Sequence, residues 1–362
     1  MKSGRSIQDV SREILRQQDA KADYLVATDR LHMDTWGDSP VIRVLDRDGV
    51  DQIEPLEIQP TAHQQIGTYL DIPSKYYDRM LQRDPALLSY NVNRWFQQEP
   101  EQKLLRTLDG KARAFLSNRY RRIDNLDIAR VVLPIIGEMP DARFESCEIT
   151  DNRMYLKVVN PRLQGEVVPG DIVQAGIMIS NSETGLGAVS IQPLIYRLVC
   201  SNGMVVNEAG TRRAHIGRVS TTDVNFTLYS QQTLDAEDRA FILKIQDTVR
   251  AAVDEARFSA VLGKMRESRQ AQLNTSDLPG LVKLAGSSFG ILEEEGKGIL
   301  QHLIEGGDFT LYGLANAVTR FSQDVASYDR ATKLEEIGYS VMTMSPLLLQ
   351  RINQTQAAKI AA

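Results

Sequence analysis

Arg106, Lys111 and Arg113 sit on the two arms of a hairpin around Asp109-Gly110, and their types and spacing suit anion binding. An Asp-Gly pair between two β-like runs predicts a two-residue type I′ turn. That turn pairs Leu108 with Lys111, Arg106 with Arg113 and Leu104 with Phe115, all on one face. Like charges directly opposite each other weaken a sheet, and an anion held between them reverses the sign. Arg119, Arg121 and Arg122 follow around Tyr120, and Arg94 and Lys103 come before, with Trp95, Phe96 and Phe115 interleaved. Cations that neutralise phosphates and rings that stack on bases are what a single-stranded nucleic-acid groove requires. The expected contacts are Arg106, Lys111, Arg113, Arg119, Arg121 and Arg122 to phosphate, with Tyr120 and Trp95 as stacking rings. Arg212 and Arg213, in a second basic run that also holds His215 and Arg218, extend the same surface. The competing reading is a solvated hairpin whose arginines pair with acids of the C-terminal helices.

Other chemistries find less support. Gly185-Leu186-Gly187 is similar to a piece of a phosphate loop, yet it joins two strands and no Gly-Lys-Ser/Thr occurs. Asn181 and Glu183 beside it are the residues a metal- or nucleotide-dependent enzyme would use. His32, His63, His215 and His302 are scattered, so no metal site is expected, and no cofactor. Cys147 and Cys200 fall in strand-like runs and read as core residues. Gly-x-Ser-x-Gly, the main serine-hydrolase signature, is missing. Catalytic residues are therefore not assigned.

The 362 residues carry 42 Lys+Arg against 47 Asp+Glu, a formal charge of −5. This excludes a uniformly basic coat protein. The charge is uneven, because residues 94–122 hold eight basic and three acidic side chains and leave the remainder at −10. Two cysteines without a Cys-x-x-Cys suit a reducing cytoplasm. There is no signal-peptide core and no run of about 18 apolar residues, so no membrane span is expected.

The hydrophobic pattern that must position these groups predicts an α+β fold. Residues 1–22 read as a polar helix that packs on a partner chain or frays. An α+β core follows over 23–229, then a helical region over 230–345 and a tail over 346–362. Two short helices, from Thr61 as cap to Leu70 and from Pro73 through Tyr77 and Met80, have helix-turn-helix spacing, and a helical hairpin packed on a sheet competes with that reading. A helix starting at Asp124 or Asn125 is disturbed at Pro134. Met154, Leu156 and Val158 alternate with Tyr155 and Lys157. Pro193 implies an edge or a bulge, and Asn202-Gly203 a tight turn. Asp235, Glu237 and Asp238 fill the first turn of a long helix. Thr310 caps another, whose Asn316, Thr319 and Arg320 form a polar stripe read as a buried link to the β core. The result is a curved antiparallel sheet core with flanking helices, followed by a helical C-terminal region.

Three runs carry a resemblance: RTLDGKARAFLSNRYRRIDNLDIARVVLP from Arg106, GIMISNSETGLGAVSIQPLIYRLVCSNGM from Gly176, and LANAVTRFSQDVASYDRATKLEEIG from Leu314. In this order they resemble the phage- and plasmid-borne domain-of-unknown-function family of YfjQ/YafZ/YubP-type proteins, over about residues 60–340. The resemblance implies an intracellular mobile-element protein and brings no reaction or catalytic residue with it. The sketched topology is also similar to single-strand annealing proteins of the Red-beta type, which form rings or filaments. The leading expectation is a non-enzymatic, homo-oligomeric, single-stranded DNA-binding protein of phage or plasmid recombination. The alternatives are a protein-interaction or anti-defence module and a nucleic-acid enzyme.

Overall fold

The computed structural model describes residues 1–37, 39–187, 189–207, 211–213, 231–251 and 254–354. The chain opens with α1 (Ile7–Ala20), β1 (Lys21–Ala27), β2 (Leu31–Trp36), β3 (Ser39–Val44) and β4 (Leu56–Ile58). Three helices follow, α2 (Pro60–Tyr69), α3 (Ser74–Arg83) and α4 (Pro85–Gln98), then the hairpin β5 (Gln102–Leu108) and β6 (Lys111–Ser117), and α5 (Asn125–Glu138). The central strands are β7 (Arg143–Ile149), β8 (Met154–Glu166), β9 (Ile172–Asn181), β10 (Val189–Arg197), β11 (Asn202–Val205) and β12 (Thr211–Arg213). The helical region comprises α6 (Gln231–Ala251), α7 (Glu255–Ser268), α8 (Leu278–Phe289), α9 (Glu293–Gly306), α10 (Leu311–Phe321), α11 (Tyr328–Met342) and α12 (Pro346–Gln354). This is the expected α+β class.

The first sheet has the order β1-β5-β6-β4-β3-β2 and is antiparallel except where β4 runs parallel to β6. Ile66, Tyr77, Met80, Leu88, Val92 and Phe96 of α2, α3 and α4 pack against its Met33, Ile42 and Leu105. The helical hairpin packed on a sheet is thus the observed arrangement. Gln59 rather than Thr61 caps α2, and Pro60 takes the first helical position, where a missing N–H leaves no bond unmade.

The second sheet has the order β11-β10-β9-β8-β7, with β12 also pairing β10. Alternation divides its faces as the sequence predicts. Met154, Leu156 and Val158 join a core with α1, α5 and α6, and Tyr155 and Val159 meet Tyr328 of α11 on the other side. Helices α7 to α12 build a further core around Tyr312, Leu334 and Tyr339 that reaches the sheet at Ala175, Ile195 and Met204. No helix among the described residues is long and apolar enough to cross a membrane.

Several local expectations are corrected. The N-terminal helix neither frays nor awaits a partner, because Val10 and Ile14 are buried among Ile128, Val132 and Cys147. Helix α5 runs through Pro134, because Ile135 and Ile136 continue its buried stripe. The turn expected at Asn202-Gly203 falls three residues earlier, over Leu198–Ser201, with Ser201 at φ 49° and Asn202 paired to Arg197. Pro193 lies in a strand paired on both sides, at the gap where the outer neighbour of β10 changes from β12 to β11. Helix α6 begins at Gln231, so the three acids lie beyond its first turn. Thr310 does cap α10, and Thr319 accepts a hydrogen bond from Asn202 of β11, the buried link the stripe implied.

Candidate functional site

Asp109 and Gly110 have φ of 53° and 71°, as a type I′ turn demands. The pairs Leu108 with Lys111 and Thr107 with Ala112 follow. The register then shifts, so Arg106 faces Ala114 and Leu105 faces Phe115. Arg113 is the extra residue of a β-bulge. The expected Arg106–Arg113 pair therefore does not form. The direct cross-strand neighbour of Arg106 is Asp23 on β1, whose pairing with β5 no local pattern announces.

Arg106 is fully buried and all three of its guanidinium nitrogens have partners. Nε donates to Asp23 Oδ1 at 2.8 Å, one terminal nitrogen to Asp124 Oδ1 at 2.7 Å, and the other to the Glu183 carbonyl at 3.0 Å. Arg113 pairs with the Glu183 carboxylate, which also accepts from the Asn125 backbone at 2.6 Å. Lys21 pairs with Asp124. Three cations thus meet three carboxylates, drawn from β1, the hairpin, the cap of α5 and the loop after β9. Burial pushes the Asp124 carboxyl up, but Arg106 and Lys21 outweigh it and hold the group below its usual range. The expected acids of the C-terminal helices take no part. Arg106 and Arg113 do not face a phosphate groove here; they lock the first sheet onto the second.

The other expected residues are dispersed. Tyr120 is half-buried and donates to the Ser182 carbonyl at 3.2 Å, which ties its hydroxyl to the loop after β9. Arg121 lies 5.3 Å from the Phe241 ring. Lys111 pairs with Glu57 at 2.8 Å on the surface. Arg122 is exposed and 3.5 Å from Asp23, Arg119 is exposed, and Trp95 is 52% exposed. On β12, Arg212 pairs with Ser190 and Arg213 with Val189; His215 and Arg218 lie outside the described residues.

The groups considered for catalysis are also engaged. Asn181 donates to the Ile123 carbonyl at 3.0 Å and to Asn125 Oδ1 at 2.9 Å, and Glu183 sits in the ion cluster. Among the described residues no three His, Cys, Asp or Glu side chains gather as a metal site. Burial pushes the Cys147 thiol up to about 12 and the His63 imidazole down to about 4.

Residues 114–345 match the model of a family described as a domain of unknown function (DUF932). The chain belongs to this family. No curated protein and no solved structure matches it. The DUF932 span takes in Asp124 and Glu183 of the ion cluster and the whole second sheet, whereas α3, α4 and Arg106 precede it.

Sequence reasoning named Arg94 and Trp95 but passed over the rest of the surface they belong to. On α3, Lys75, Arg79 and Arg83 are spaced by four, form a basic ridge and are exposed. On the adjoining α4, Tyr90 and Arg94 point away from the buried Leu88, Val92 and Phe96. Tyr76, Tyr90 and Trp95 are 48%, 69% and 52% exposed. None of these four cations has a carboxylate partner among the described residues. Buried residues at Tyr77 and Met80 fix the orientation of α3, so its helical period carried the signal.

Proposed function

We propose that the protein binds single-stranded nucleic acid, DNA in the first instance, along the exposed face of α3 and α4. The supporting observation is the set of four cations without a carboxylate partner among the described residues, Lys75, Arg79, Arg83 and Arg94, interleaved with the exposed rings of Tyr76, Tyr90 and Trp95. The like charges at four-residue spacing repel one another, and a phosphate backbone relieves that repulsion. The rings offer faces to bases without sequence preference. Ser117 pairs with Lys103 near the start of β5, so the Arg119 loop lies at the same end of the sheet as the last turn of α4 and extends the track. The resemblance of three motifs to phage- and plasmid-borne proteins supports a role in strand handling during recombination of a mobile element, with the protein acting as a homo-oligomer.

Fluorescence anisotropy of a labelled oligo-dT over a salt series tests this. The slope of log affinity against log salt is expected to be about −0.7 for each phosphate contact. Replacing Arg79, Arg83 and Arg94 with Ala flattens it by about 2. Trp95→Ala weakens binding about tenfold and leaves the slope unchanged. All four positions are exposed, so the fold is retained. Absence of salt-dependent binding by the wild-type chain overturns the reading, and favours protein capture by the same aromatic face. Light scattering with and without the oligonucleotide reports whether binding is accompanied by assembly.

A further inference from the structure

A cleft of about 580 Å³ lies between the second sheet and α11. Its floor is two cross-strand rows, Tyr155–Ser180–Ser190 and Met178–Gln192, set by the pairing of β8, β9 and β10. Thr332 lines the α11 side. Further along, the same sheet face is closed by Val159, Leu194, Val205 and Tyr328. At the cleft the lining instead includes the polar side chains of Ser180, Ser190, Gln192 and Thr332, all of them buried.

These groups are incompletely satisfied. Thr332 Oγ1 is buried and has no hydrogen-bond partner among the described residues. The Ser180 hydroxyl has none either. Ser190 donates to Gln192 Oε1 at 3.2 Å and keeps its acceptor sites, and Gln192 Nε2 spends one hydrogen on Asn207. Unpaired buried hydroxyls are destabilising unless something in the cavity bonds them. The charged residues of the lining, Arg153 and Lys333 against Asp329 and Glu336, are two of each sign, and Lys333 is already 2.9 Å from Glu336. An ion finds no net counter-charge there, and an apolar guest would leave the hydroxyls unpaired.

We propose that this cleft binds a small, uncharged, polyhydroxylated molecule, a monosaccharide or the ribose of a nucleoside, held by hydroxyl-to-hydroxyl bonds to Ser180, Ser190 and Thr332 with Tyr155 against its carbon face. Its volume is in the range of small-molecule sites, ~300–1,000 Å³. The site lies wholly within the DUF932 span and does not depend on nucleic-acid binding by α3 and α4. Calorimetric titration of the full chain with glucose, ribose and adenosine tests it, with 2′,3′-dideoxyadenosine as the control that lacks the ribose 2′- and 3′-hydroxyls. Saturable binding of at least one is expected at millimolar concentration or below, with a matching rise in melting temperature. Thr332→Val and Ser180→Ala remove only the hydroxyls and should each weaken it about tenfold, while the free protein melts no lower. Glucose or ribose as the binder assigns a sugar site; adenosine alone assigns a nucleoside site. No saturable binding, equal affinity for dideoxyadenosine, or unchanged affinity in both variants overturns the proposal.

Discussion

Lys157 and Glu335 form an ion pair at 2.7 Å in which neither side chain is exposed. The lysine lies on the polar phase of the β8 alternation, where a solvated charge is the natural expectation. Helix α11 covers that phase, and Tyr328 stacks beneath the ammonium at 4.6 Å. Burial lowers the lysine pKa, and Glu335 opposes the change. Glu335 Oε1 already lacks a hydrogen-bond partner among the described residues. Lys157→Met would strand the carboxylate altogether, at a cost of about 3–5 kcal/mol. The double change to Lys157→Met with Glu335→Leu should recover most of that loss. Urea unfolding of the two single variants and the double gives the coupling, and a double variant as unstable as the summed singles would contradict this account.

At the scale of elements, close approach of backbones matters as much as side-chain chemistry. Helix α10 packs against α11 across Gly338. A Cβ there would lie 2.2 Å from Thr319 Cγ2 and 3.3 Å from the Ala315 carbonyl. Gly338→Ala should force the two helices apart and cost about 1–3 kcal/mol. Gly263 in α7 has no atom of the described residues within 4 Å of the same position. Gly263→Ala should therefore stabilise by about 0.5–1 kcal/mol through helix propensity alone. Opposite changes in melting temperature for the two variants are the expected readout. Both glycines lie in helical patterns, and the pattern does not tell them apart; the neighbouring helix does.

Across the whole molecule, the six-residue ion cluster is the joint between the sheets, and its behaviour with pH follows from Asp124. The folded-state pKa of this group is depressed, so the stability it contributes is present above its unfolded value and is lost as pH falls through the folded one. The wild-type urea midpoint should drop below about pH 4. Asp124→Asn should be less stable at neutral pH and should show a smaller drop over that window. A pH profile of Asp124→Asn parallel to the wild type's would mean that other carboxylates control acid unfolding.

Much of the architecture was readable beforehand, and for definite reasons. The Asp109-Gly110 turn, the alternation of β8, the cap at Thr310 and the helical C-terminal region depend on neighbours within a few residues, which periodicity and turn chemistry report. The basic ridge of α3 is equally local, written in the four-residue spacing of Lys75, Arg79 and Arg83, but it is sparser than the charge run over 94–122. The fate of Arg106 was of another kind. Its partners lie 83, 18 and 77 residues away in sequence, and a one-residue bulge at Arg113 alters which residues share a row. The amino-acid order by itself determined that several arginines would stand close together on a hairpin. Only the tertiary structure decided that two of them would be buried as structural ions while Arg119 and Arg122 stay exposed, because burial and ion pairing depend on which distant carboxylates the fold brings to each charge.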